Sequence, residues 1–124
     1  MTVRATLGKK ERLKSRKLIG QLFSEGQRMS VPHYRVTFMY KPAVAPVLQA
    51  GVTVSTRFFK KAKDRNKIKR QTREAWRLQK AALQEQLKGE LHVFFIFTDK
   101  ELPVYTEVYA AVGKAIQQLI KKTA

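Results

Sequence analysis

The sequence predicts one α+β domain, a small sheet packed with helices in a two-layer sandwich. Three observations predict it. The chain has 124 residues, the length of a single domain able to bury its own core. Three stretches repeat apolar residues at helical spacing, and four shorter stretches alternate or run apolar as strands do. Helices and strands interleave along the chain, as in layered α/β architectures.

Each element has its own signal. Residues 1–14 are polar and basic and read as a flexible arm. Ser15 suits an N-cap and Gly26 a helix stop, with Leu18, Ile19, Leu22 and Phe23 at helical spacing between them, so a first helix is expected over 16–25. Arg28 to Val31 fits a short edge strand ended by Pro32. From His33 to Lys41, Tyr34, Val36, Phe38 and Tyr40 point one way, while Arg35, Thr37 and Met39 point the other. A loop with two prolines spans Pro42 to Pro46. Leu48 to Ser55 is the next strand, with Val52 and Val54 on the core side. Asp64 as N-cap and Gly89 as the residue past the end frame a long helix over about 65–87. Leu91 to Phe97 is a continuous apolar run, expected of a strand covered on both faces. After a loop at Lys100 to Pro103, Val108, Val112, Ile116, Leu119 and Ile120 form the stripe of a last helix over 105–122. The third strand, long helix and fourth strand read as a βαβ unit.

Charge narrows the function. Lys and Arg number 26 against 9 acids, a formal net charge of +17. Such a domain repels itself unless a polyanion screens it, and nucleic acid is the commonest such partner. An anionic membrane surface is the competing partner, because basic amphipathic helices also bind lipid. No apolar run approaches the ~20 residues of a membrane span. The basic N-terminal stretch has no apolar segment of the kind a secretory signal needs. The chain has no cysteine, which excludes a disulfide framework or thiolate metal site and fits a reducing compartment. A cytoplasmic location is expected.

The charge concentrates in residues 57–80, which hold eleven Lys/Arg and two acids. On a helical wheel Ile68, Thr72, Ala75, Trp76 and Leu83 share one arc. Lys69, Arg73 and Arg77 follow one another at i, i+4 on an adjoining arc, with Asn66 and Arg70 beside them. One face can pack on the sheet while the other projects cations. Like charges at this spacing cost each pair about 0.2–0.5 kcal/mol, a cost that a bound anion offsets. A solvated charged face is the plainer explanation of most charge runs. The near-absence of acids and the one-sided layout favour nucleic-acid contact. Trp76 is expected in the core.

No catalytic constellation stands out. The acids do not pair at metal or acid/base spacing, His33 and His92 are expected to be isolated, and neither a Ser/His/Asp pattern nor a Gly-rich phosphate loop is present.

Two segments carry a family resemblance. Gly51-Val-Thr-Val-Ser-Thr-Arg, followed by Lys60-Lys-Ala-Lys-Asp-Arg-Asn-Lys-Ile-Lys-Arg-Gln-Thr-Arg-Glu-Ala-Trp-Arg, resembles the signature of bacterial ribonuclease P protein components. Arg65, Asn66, Ile68, Lys69, Arg70, Arg73 and Glu74 match that motif. Supporting pattern, including Phe23-Ser-Glu-Gly26, extends over nearly the whole chain from about Lys9. The third motif position is Lys67 rather than Arg, which keeps the charge and loses the bidentate fork. Thr56 and Arg57 stand where two lysines are usual, Ile19 where an aromatic is common, and Thr98 and Asp99 where basic residues are usual.

The resemblance implies an α-β-β-β-α-β-α fold with a mixed sheet and a left-handed crossover between the third and fourth strands. Physical reasoning alone favours the right-handed form, found in about 98% of cases. The resemblance further implies the protein subunit of ribonuclease P, partnered by the catalytic RNA and precursor tRNA; no obligate protein partner is predicted. Arg57, Lys60, Lys61, Arg65, Asn66, Lys67, Lys69, Arg70 and Arg73 are its candidate contacts to the catalytic RNA. Ile19, Phe23, Arg35, Thr37, Thr53 and Ser55 are its candidates for a cleft that takes the single-stranded 5′ leader. For Phe23 ordinary core packing is the competing role. Bond breaking is expected on the RNA, with Mg²⁺ held by RNA and substrate rather than by the protein. Another structured-RNA-binding protein, such as a ribosomal protein, is the alternative on composition; a stand-alone nuclease lacks its acidic cluster.

Overall fold

The computed structural model describes residues 12–13 and 15–123. The elements run α1 (Arg16–Glu25), β1 (Gln27–Val31), β2 (Tyr34–Pro42), β3 (Val47–Val54), α2 (Ala62–Gln79), α3 (Ala81–Gln86), β4 (Gly89–Phe97) and α4 (Tyr105–Thr123). Ser15 caps α1 by accepting from the Leu18 amide at 3.3 Å. Gly26 ends it with extended backbone, so no left-handed conformation demands glycine there. Close approach does: a Cβ at Gly26 would lie 2.8 Å from the Thr37 methyl and 2.4 Å from the Leu22 carbonyl oxygen.

One mixed sheet has the order β1-β2-β4-β3. β2 pairs antiparallel with both β1 and β4, and β3 pairs parallel with β4. β1 is an edge strand, as its proline-ended sequence predicts. β4 is central and covered on both faces. Leu91, Val93, Phe95 and Phe97 join the main core with Ile68, Ala75 and Trp76 of α2 and the α4 stripe. On the opposite face Phe94 packs with Leu22 of α1 and with Leu13. The helical layer of the sandwich is thus α2, α3 and α4, and among the described helices only α1 crosses the other face.

The crossover handedness follows from Ala50. Its methyl lies in the main core, while its carbonyl turns away from β4 to accept from the Leu13 amide at 2.9 Å. For an L-residue this combination puts β4 to the left of β3 when both run upward and the helical layer faces the viewer. The β3–α2–β4 connection is therefore left-handed, as the resemblance implies and against the general rule.

Four expectations are corrected. The N-cap of α2 is Lys61, not Asp64; the helix starts earlier, and Asp64 supplies the acid of its first turn. The long helix breaks at Lys80 into α2 and α3, and Gly89 opens β4 instead of closing a helix. The arm's end is not loose: Leu13 is buried and Arg12 forms a parallel bridge with Ala50. Residues 1–11 and 14 of the arm lie outside the described residues. His33 is not isolated. It occupies the β1–β2 turn at φ 71°, pairs with Asp99 through Nδ1, and holds Nε2 3.0 Å from a Glu107 oxygen. That clamp ties the turn to the segment after β4 and to the first turn of α4. It also gives Asp99, an unexpected acid at its place in the family pattern, a structural partner.

Candidate nucleic-acid interface

Two surfaces meet around the β3 edge. The first is the outer face of α2. Ile68, Thr72, Ala75 and Trp76 are buried on its inner side, which leaves Asn66, Lys67 and Arg70 exposed and Lys69 and Arg73 half-buried. Arg57, Lys60 and Lys61, on the loop that leads into α2, are exposed beside them. The helix is held to the sheet by a buried hydrogen bond between the Tyr34 and Thr72 hydroxyls at 2.6 Å. Thr72 also donates to the Ile68 carbonyl at 2.8 Å, so its hydroxyl is satisfied within the helix. Burial pushes the Tyr34 phenol up to about 12 and keeps it neutral.

Two residues expected on this face have structural partners. Arg65 is half-buried and turns its guanidinium back, donating from Nη1 to the carbonyls of Phe59 at 2.7 Å and Lys60 at 2.9 Å. It staples the β3–α2 loop to the helix. Arg77 pairs with Glu74, Nε donating to Oε2 at 3.2 Å, so that arginine is part of an ion pair on the helix surface.

The second surface is the sheet face beneath α1. Strand register sets its rows. Thr53, Ile96, Arg35 and Ser30 lie across the sheet in one row, and Gly51, Phe94, Thr37 and Arg28 in the next. Phe23 of α1 is exposed and meets Phe94 edge-on, with ring centroids 5.6 Å apart. Arg28 donates to the Phe23 carbonyl at 3.1 Å and fixes the end of α1 over the sheet. Ile19, Thr53 and Ser55 are half-buried and Arg35 is exposed. Thr37 is buried beneath Gly26 with 1% exposure, which places it under the cleft floor, out of reach of a bound strand. The Ser55 hydroxyl accepts from the Arg57 amide at 3.1 Å and shapes the loop.

The two surfaces join at a cavity of about 200 Å³ lined by Arg12, Leu13, Ile19, Gly51, Phe94 and Arg73. Burial draws the Arg73 guanidinium below its ordinary value, and the neighbouring Arg12 charge acts in the same direction. Two like charges at one cavity mouth are the arrangement a phosphate relieves. Reasoning from sequence missed Phe94, Arg12 and Arg28. The even-numbered residues of the β4 run were the available signal for Phe94; nothing local marks the arm's docking on β3. Among the described residues no group of three or more His, Cys, Asp or Glu side chains is placed to hold a metal ion. Among the same residues, no helix is long and apolar enough to cross a membrane.

Known proteins resemble this chain in sequence and in shape. The family model described as Ribonuclease P matches residues 7–123. A ribonuclease P protein component of Porphyromonas gingivalis is 34% identical over 125 residues, covering 94% of this chain and 89% of the relative. The RNase P protein of Thermotoga maritima superposes with a TM-score of 0.70 at 24% identity, covering 87% of this chain and 96% of its own. That of Staphylococcus aureus superposes with a TM-score of 0.66 at 18% identity, covering 92% and 98%. At these identities the structural likenesses speak for the fold.

Proposed function

The chain belongs to the ribonuclease P protein family, and from that premise we propose that its α2 face docks on the catalytic RNA while the cleft beneath α1 takes the 5′ leader of precursor tRNA. One observation carries the reading: α2 buries Ile68, Thr72, Ala75 and Trp76 against the sheet and presents Asn66, Lys67 and Arg70 to solvent. A helix divided in this way offers a rigid row of donors to phosphates, and phosphate neutralisation with counterion release supplies the affinity. Lys69, Arg73, Arg57, Lys60 and Lys61 extend the row. Arg65 contributes chiefly by fixing the loop that carries Lys60 and Lys61.

In the cleft, Ile19 and Phe23 offer apolar and aromatic contact, and Arg35, Thr53 and Ser55 offer polar contact. Such groups hold a single strand with little sequence choice, because every base has a face to stack and every nucleotide a phosphate. Among the described residues no carboxylate set is placed to hold a metal. RNA and substrate would hold any Mg²⁺, which would supply activation of water. The protein's residues screen phosphate repulsion, raise affinity for leader-bearing substrate and lower the Mg²⁺ requirement. As an endoribonuclease the holoenzyme owes its bond breaking to the RNA.

Reconstitution tests this. The purified protein alone should leave precursor tRNA intact, and adding it to its cognate RNA should raise cleavage at low Mg²⁺. Cleavage by the protein without RNA, or an unchanged rate and Mg²⁺ demand, overturns the reading. RNA that copurifies with the protein should be the catalytic RNA; ribosomal RNA in its place would mark a ribosomal protein.

A further inference from the structure

We propose that Phe58 is a stacking platform for one unpaired RNA base, with Arg57 and Lys100 poised for the phosphates on either side. Phe58 and Lys100 belong to neither surface described above, Arg57 extends the first of them, and the proposal rests on the reading that this chain binds RNA.

β3 and β4 run parallel and end together, Val54 opposite Phe97. The loops that follow them are therefore neighbours. Phe58 stands on the first loop, with 40% of its surface exposed. The Arg57 guanidinium lies 5.8 Å from its ring centroid, and the Lys100 ammonium, from the second loop, lies 5.4 Å away. Phe59 next to it turns inward, is buried, and packs on Phe97 at 5.9 Å between centroids. Burial of Phe59 thus anchors the loop and aims Phe58 outward.

The loop is held from three points. Ser55 accepts from the Arg57 amide at 3.1 Å, the Phe59 amide donates to the Ser55 carbonyl at 3.2 Å, and Arg65 grips the carbonyls of Phe59 and Lys60. A ring already fixed in place loses little entropy when a base stacks on it. An exposed cation–π contact is weaker than base–aromatic stacking, so a base displaces a cation from the ring and gives that cation a phosphate to pair with. The position suits this exchange: Ser55, on the rim of the cleft, precedes the platform by three residues, and α2 begins four residues after it. The platform bridges the strand-binding cleft and the helix face.

The base can come from the leader or from an unpaired nucleotide of the catalytic RNA, and the test separates them. Wild-type protein, Phe58→Leu and Phe58→Tyr are compared in two assays. One measures affinity for the catalytic RNA; the other measures affinity of the holoenzyme for precursor tRNA with a long or a truncated leader. Phe58→Leu should weaken one of them by about ten-fold, with the salt dependence of binding unchanged, while Phe58→Tyr stays within about two-fold. A loss confined to long-leader substrate assigns the base to the leader; a loss in assembly assigns it to the catalytic RNA. The proposal is overturned if Phe58→Leu binds as wild type in both assays, or if Phe58→Tyr is as weak as Phe58→Leu. Wild-type protein that binds neither RNA would instead sink the parent reading.

Discussion

The Tyr34 hydroxyl on β2 meets the Thr72 hydroxyl on α2 at 2.6 Å in the core, directly beneath the face that carries Lys69, Arg70 and Arg73. The bond joins the sheet's second strand to the helix, and the surrounding rings of Phe95 and Phe97 meet Tyr34 edge-on. The cationic row is therefore mounted on a buried polar contact as well as on apolar packing.

Tyr34→Phe should separate the two contributions. At neutral pH it removes one hydrogen bond, and because Thr72 keeps its bond to the Ile68 carbonyl, the cost should be about 1 kcal/mol. The sign changes in alkali. The native phenol ionises at about 12 against an ordinary 10.0, so its stabilisation is complete below pH 10 and is lost as pH rises towards 12. Two pKa units correspond to roughly 2.7 kcal/mol. The variant lacks that loss, so its stability curve should cross the wild-type curve near about pH 11. Denaturant titrations across the range from neutral to alkaline pH check this; parallel curves would contradict it.

Reversing charge at Arg70 and Arg73 together should abolish assembly with the catalytic RNA and leave the domain folded. Arg70 is exposed and Arg73 half-buried on the outer side of α2, so neither fills the core. Replacing Arg70 alone with Gln should flatten the slope of log affinity against log salt by about one phosphate contact. Binding at several salt concentrations, with circular dichroism as the folding control, measures both. Normal assembly by the double variant contradicts the docking face.

The inner and outer faces of α2 were legible in the sequence because 3.6-residue periodicity puts Ile68, Thr72, Ala75 and Trp76 on one arc. The strand faces were legible for the same kind of reason, with Tyr34, Val36 and Phe38 inward at period two. Long-range pairings were not. Leu13 docks on Ala50 and His33 bridges Asp99 and Glu107, and no local pattern encodes either. Alternation put Thr37 on the outer face of its strand and the family resemblance made it a cleft candidate, yet Gly26 packs on its methyl and closes it off. Asp64 looked like a cap because it is the right residue type, but the loop stapled by Arg65 lets the helix begin at Ala62.

That staple predicts a divided phenotype for Arg65→Gln. Loss of the two carbonyl contacts should cost about 1 kcal/mol, since the guanidinium is half-exposed and water replaces part of what is lost. Amide exchange should quicken at residues 57–61 before it changes elsewhere. Affinity for the catalytic RNA should fall by more than the loss of one charge explains, because Lys60 and Lys61 lose their fixed placement. Unchanged exchange at the loop would show that Arg65 acts only as a phosphate contact.

Phe23 tests the cleft. Its ring touches Phe94 edge-on at 5.6 Å and yet remains 42% exposed, so most of its value lies outside the core. An aromatic pair of this kind contributes about 0.5–1.5 kcal/mol beyond its buried area, and Phe23→Leu retains much of that area. The melting temperature should therefore move by only a few degrees. Leader binding should suffer more, because a stacked base is worth about 1–3 kcal/mol and a leucine has no ring face to offer. Holoenzyme affinity should fall about ten-fold for precursor tRNA with a long leader and stay unchanged for substrate whose leader is too short to reach the cleft. If both substrates lose affinity equally, Phe23 acts through the placement of α1, and if neither does, the leader runs elsewhere.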